Sequence, residues 1–178
     1  MDTSTKLIVE SLLFVAVEPL TPRQIHAIIP GKNMEEIKAA VEDLKLEYEN
    51  MNRSFILKEV ANGYQLRTRP LYKPYIANLL NATPPKLSRA TLETLTIIAY
   101  KQPMIRQEIE RFRGVDVGGI LKTLLKRGLI RIVGRKSLPG KPIIYGTTKK
   151  FLEIFDLKDL SCLPTLKEIK ELDDGEDG

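Results

Sequence analysis

Two adjacent prolines, Pro84 and Pro85, stand near the middle of a 178-residue chain. No helix runs through such a pair, because each proline lacks an amide donor and the residue before a proline is pushed to extended backbone. Asn81-Ala82-Thr83-Pro84-Pro85-Lys86 therefore reads as a linker that leaves a piece of roughly 80 residues on either side. A piece of that size buries only a small core, which limits each to a few short helices and a hairpin. Hydrophobic residues make up 43% of the chain, enough to fill such cores.

In the second piece Ser88 can cap a helix on which Leu92, Leu95 and Ala99 recur at helical spacing, with its end near Pro103. A short helix from Arg106 to Arg113 closes at Gly114. Asp116 then caps a third, whose Val117, Ile120, Leu121, Leu124 and Leu125 fall at offsets 0, 3, 4, 7 and 8 and define one buried face, with Gly128 as the stop. Residues 129–133 and 143–145 flank a Leu138-Pro139-Gly140 turn and read as a hairpin with an exposed basic tip.

The first piece repeats this order. After an apolar first helix, Thr21 caps a short helix with Pro22 at its first position. Asn33 opens a longer one with Met34, Ile37, Val41, Leu44 and Tyr48 inward, and residues 55–57 and 64–66 pair across Asn62-Gly63. Residues 19–25 align with 103–109 at an offset of 84, identical at Pro19/Pro103 and Ile25/Ile109. The repeated element order carries more weight than two identities. Helices followed by a hairpin give the winged-helix order. The expected fold class is mainly α with small β-hairpins (α+β), as two tandem winged-helix domains: 1–80, a linker 81–86, a basic 87–160, and an acidic, disordered tail 161–178.

Charge is distributed unevenly. Net charge is zero over residues 1–80, +11 over 86–150 and −6 over 151–178. The middle block suits a polyanion. The closing acidic run, Glu171-Leu172-Asp173-Asp174-Gly175-Glu176-Asp177, could compete with nucleic acid for it. Catalysis finds little material. His26 is the only histidine and stands beside Ile25, Ile28 and Ile29, so a triad or multi-histidine metal site is not assembled and a structural role is expected. Cys162 is the only cysteine, which excludes an internal disulfide and suggests a cytosolic setting. Gly134-Arg135-Lys136-Ser137 superficially resembles a phosphate loop, but the glycine-lysine-serine order is absent and the segment joins two strands. No catalytic, cofactor or metal residue is expected. The run from Leu12 to Val17 is too short to span a bilayer.

The strings LETLTIIAYKQP, GVDVGGILKTLLKRGLIRIVGRK and PGKPIIYGTTKKFLEIF, within residues 87–157, closely resemble the segregation and condensation protein B family, and ESLLFVAVEPLT in the first piece agrees. The family commonly has glycine at Val17 and serines at Val117 and Gly118. The resemblance implies a chromosome-segregation subunit that dimerises through its first unit. It also implies partnership with a kleisin subunit, segregation and condensation protein A, and through the complex with an SMC ATPase. Such a subunit would be cytoplasmic and nucleoid-associated.

The surface residues fit that expectation in part. The first helix is apolar around most of its circumference, more than one small unit can cover, so Leu7, Leu13, Phe14 and Val17 are expected at a homodimer interface. Enclosure of that helix by its own fold is the plainer alternative. Arg131, Arg135, Lys136 and Lys141 cluster on the second hairpin; a solvated basic face, weak nonspecific DNA contact and kleisin contact all stay open for them. A winged-helix transcriptional regulator is the alternative function. Against it, the third helix of the first unit carries Glu35, Glu36, Glu42, Asp43, Glu47 and Glu49, and that of the second begins with Gly118 and Gly119, which have no side chains to read base edges.

Overall fold

The computed structural model describes residues 4–80, 86–165 and 168. The expected linker at 81–85 and the acidic run 171–177 lie outside the described residues. The chain divides into two compact units, residues 1–86 and 87–178.

The first unit runs α1 (Thr5–Val15), α2 (Pro22–Ile28), α3 (Met34–Asn50), β1 (Phe55–Val60), β2 (Gly63–Thr68), a 3-10 turn (Pro70–Tyr72) and α4 (Lys73–Leu80). Two capping boxes set its helix starts. Thr21 accepts from Gln24 N while the Gln24 side chain accepts from Thr21 N, and Asn33 and Glu36 do the same for α3. Helical spacing on α3 brings Ile37, Ala40, Val41 and Leu44 inward, where they bury Val9 and Leu13 of α1, Ile25 and Ile29 of α2 and its flank, and Leu57 of β1.

The hairpin turn differs from the expected Asn62-Gly63 by one residue. Ala61 and Asn62 hold the turn with φ of 51° and 61°, and Gly63 already pairs with Val60 in the ladder. Gly63 is needed for a close approach: a Cβ there would stand 2.8 Å from the carbonyl carbon and oxygen of Leu20. Leu20 and Tyr64 exchange backbone hydrogen bonds of 3.0 and 2.9 Å at this crossing.

The second unit runs α5 (Arg89–Lys101), β3 (Met104–Ile105), α6 (Arg106–Arg113), α7 (Gly118–Lys126), β4 (Ile130–Arg135), β5 (Ile143–Thr147), α8 (Lys149–Ile154) and a 3-10 turn (Leu160–Cys162). Ser88 caps α5, and Gly114 and Gly128 end α6 and α7 at φ of 71° and 69°. Asp116 accepts from Gly118 N at 3.0 Å, so α7 starts after Val117, which is itself buried with Leu121 and Leu124. Leu92, expected on the buried face of α5, is 40% exposed; that face is Thr91, Thr94, Leu95, Ile98 and Ala99.

The sheet has three antiparallel strands in the order β3-β5-β4, one more than the expected hairpin. The extra pair, Met104 opposite Tyr145, repeats the Leu20–Tyr64 bridge of the first unit, and Leu20 and Met104 differ in number by the repeat offset of 84. Both units thus carry the winged-helix order, mainly helical with small antiparallel sheets. Residues 161–165, taken in the sequence as the start of the tail, fold onto the second unit instead: Tyr100 Oη donates to Pro164 O at 2.6 Å.

Candidate functional site

On α1 the helical period sorts the apolar residues into two faces. Val9 and Leu13 are buried, whereas Leu7, Phe14 and Val15 are 53%, 80% and 71% exposed, and Val17, just past the helix end, is 87% exposed. Leu13 therefore belongs to the unit's own core and is not available to a partner, a correction to the expected interface set. The unbroken apolar run from Leu12 to Val17 hides its phase; only the packing of α1 on α3 reveals which side is open. The angle of α1 on α3 is held by two polar ties, Tyr48 Oη donating to the Glu10 carboxylate and Lys6 paired with Glu47. Burial first, then the neighbouring Glu10 carboxylate, pushes the Tyr48 hydroxyl up to about 12.

In the second unit the four basic residues named from sequence do not form one cluster. Arg135 and Lys141 meet at the hairpin tip, where Arg135 Nη1 donates to Lys141 O at 3.0 Å. Lys136 reaches back to α6 and pairs with Glu108 at 2.6 Å. Lys136 and the Ile105 amide together hold the Glu108 carboxyl below its usual range. Arg131 lies at the other end of β4, its Nε 3.4 Å from Thr147 O. Four residue steps along the strand, roughly 13 Å, separate it from Arg135.

At that root the structure adds residues that sequence reasoning missed. Thr148 Oγ1 donates to Gly128 O at 2.6 Å, joining the end of α7 to the start of α8. Lys126 on α7 and Lys149 and Lys150 on α8, all exposed, flank this joint, with Lys150 lying against Gly128. Some 20 residues of chain separate Lys126 from this pair; the signal that could have found them was the capping threonine of TTKK.

The start of α7 is poorly furnished for reading bases. Gly119 is exposed with open space around it, and Gly118 lies under Arg106, whose guanidinium is committed to Glu110 and Asp116. His26 is exposed on the last turn of α2, and Cys162 is an exposed free thiol. Among the described residues no three His, Cys, Asp or Glu groups converge as a metal site would need, and no helix is long and apolar enough to cross a membrane.

Two winged-helix units with an open apolar helix face on one and basic surfaces on the other define a protein of the tandem winged-helix class. Residues 7–166 match the model of the segregation and condensation complex subunit ScpB family, and the chain belongs to that family. A relative from Syntrophotalea carbinolica, segregation and condensation protein B, is 47% identical over 93% of this chain and 84% of its own length. Solved structures include ScpB from Mycobacterium tuberculosis, 32% identical with a TM-score of 0.40 and covering 85% of this chain and 94% of that one. A second is a dimer of an ScpB N-terminal domain complexed with an ScpA peptide, 33% identical with a TM-score of 0.38, covering 42% of this chain and 91% of that one. At those scores the superpositions carry no weight; membership rests on the family match and on identity to the relative. The chain is a subunit of chromosome segregation and condensation.

Proposed function

We infer that this subunit is a non-catalytic adaptor. It pairs with a second copy through the first unit, binds the kleisin subunit, segregation and condensation protein A, and through the complex acts with an SMC ATPase in chromosome partition during cell division. Such a role belongs to the cytoplasm, at the nucleoid. The observation that carries the reading, beside family membership, is the open face of α1: Phe14 and Val17, 80% and 87% exposed, are large apolar side chains that their own unit leaves in water. A helix already fixed on α3 offers that face at little entropic cost to a partner.

Contact with DNA, in this reading, is weak and indifferent to sequence, because the cations of the second hairpin meet phosphates while α7 opens on glycines. A sequence-reading regulator, the alternative, would need side chains where Gly118 and Gly119 stand. An untagged pull-down with mass measurement of the recovered complex separates the two. Recovery of a kleisin and an SMC subunit is expected; recovery of a discrete operator sequence without them would contradict the adaptor reading.

A further inference from the structure

The pairing of β3 with β5 sets the first turn of α6 beside the second hairpin. Met104 stands opposite Tyr145 and Ile105 opposite Ile144, so Arg106 and Gln107, which follow at once, lie next to β5. Across the hairpin Arg135 stands opposite Ile143, two residues from Tyr145 and so on the same side of the strand. Arg106, Gln107, Arg135, Lys141 and Tyr145 together line a hollow of about 400 Å³.

This hollow is rich in donors that nothing uses. No carboxylate lines it. Arg106 is committed to Glu110 and Asp116, whereas Arg135 and Lys141 form no ion pair among the described residues. Arg135 spends one N–H on Lys141 O at 3.0 Å, which holds the guanidinium in place and leaves its other donors open. The Gln107 side chain is exposed and has no hydrogen-bond partner among the described residues. Tyr145 is the most informative of the set. The residue is only 8% exposed, yet its hydroxyl makes no hydrogen bond among the described residues and is not sealed from solvent. A tyrosine buried to this degree ordinarily gives its hydroxyl a partner.

We propose that the hollow seats one phosphodiester group of a DNA backbone, with Arg135 and Lys141 supplying charge and Gln107 and Tyr145 supplying neutral hydrogen bonds. The inference rests on the reading of weak DNA contact above and gives that contact a defined place. Its donors come from four points of the fold: β4, the hairpin turn, α6 and β5. A tetrahedral phosphate, with oxygens at several corners, uses such a set better than a planar carboxylate does, and arginine adds the paired donors that phosphate accepts well. Pro142 and Ile143 add an apolar wall against which the neighbouring sugar can lie. Contacts of this kind position a duplex without reading its bases, in keeping with an α7 that opens on glycines.

The test separates hydrogen bonding from charge in the full chain. Tyr145→Phe removes a hydroxyl that bonds to no described residue, and Gln107→Ala trims an exposed side chain, so both variants are expected to keep the unfolding midpoint. Each should weaken binding to a random-sequence duplex by about three- to tenfold, the worth of a neutral hydrogen bond, read by fluorescence anisotropy at low salt. Their salt slopes should match that of the unaltered chain, whereas Arg135→Ser should lower the slope by about one charge. The Tyr145→Phe effect should also shrink when Arg135→Ser is already present, because both residues hold the same group. In amide proton–nitrogen NMR the duplex should move the signals of Gln107, Ile143 and Tyr145, and a glutamate hexapeptide should leave them in place. Full affinity in either neutral variant would overturn the site while the reading of weak DNA contact stands. No duplex binding by the unaltered chain at low salt would overturn both. A hexapeptide that moves those amides as far as the duplex does would overturn the phosphodiester assignment in favour of an acidic peptide.

Discussion

At the scale of single residues, two positions separate packing from display. Leu13 and Phe14 are neighbours in an unbroken apolar run, and nothing in that run says which faces inward; the contrast of 2% against 80% exposure comes from where α3 lies. Leu13→Ala should therefore cost about 2–5 kcal/mol of the first unit's stability, checked by denaturant unfolding, while Phe14→Ala should leave that stability nearly unchanged. Gly63 was legible as a turn residue but not for its actual role. Its turn neighbours Ala61 and Asn62 take the positive φ values, and Gly63 is fixed by the backbone of Leu20. Gly63→Ala should destabilise the first unit by about 1–3 kcal/mol through overpacking against main chain, whereas Asn62→Gly, at a position with φ of 61°, should be tolerated. Equal effects of the two on the melting temperature would contradict this account.

At the scale of elements, the helices were legible and the associations between elements were not. Capping side chains and terminal glycines are local signals: Thr21, Asn33, Ser88, Gly114 and Gly128 mark boundaries that the structure keeps. Strand β3 has two residues, too few for any period to show, and the basic root joins two helices across a hairpin. The tie between α1 and α3 yields a pH prediction. An unfolded tyrosine titrates near 10 and Tyr48 is pushed up to about 12, so the stability from its hydrogen bond to Glu10 is full below pH ~10 and is lost as pH rises from ~10 to ~12. Lys6, raised chiefly by its hydrogen bond to Glu47, adds loss in the same direction. Thermal unfolding followed from pH 8 to 11.5 should show this decline, and Tyr48→Phe should flatten it; a variant with the same alkaline slope would remove Tyr48 from the explanation. The second hairpin has its own test. Changing Arg131, Arg135, Lys136 and Lys141 together to Ser should weaken binding to two unrelated duplexes alike. The salt slope should fall by roughly three charges' worth rather than four, since Glu108 already neutralises Lys136.

At the scale of the whole molecule, family membership supplies the process and the surfaces supply the means. The two units share one element order and the same bridging position, Leu20 in one and Met104 in the other, yet their exposed faces diverged: neutral with an open apolar helix in the first, strongly cationic in the second. That division suits a protein that pairs through one unit and leaves the other to charged partners. The central claim, self-association through the open face of α1, is tested most directly by sedimentation velocity of the full chain against Phe14→Asp over a micromolar concentration series. In a two-fold interface both copies lose the contact, about 3–6 kcal/mol for two buried phenylalanines or on the order of 100-fold or more in Kd. The account predicts that the unaltered chain sediments with the mass of two chains and that Phe14→Asp sediments as one, with its helical circular dichroism and unfolding midpoint retained. A folded Phe14→Asp protein that still sediments as a dimer, or an unaltered chain that stays a monomer throughout the series, would contradict it.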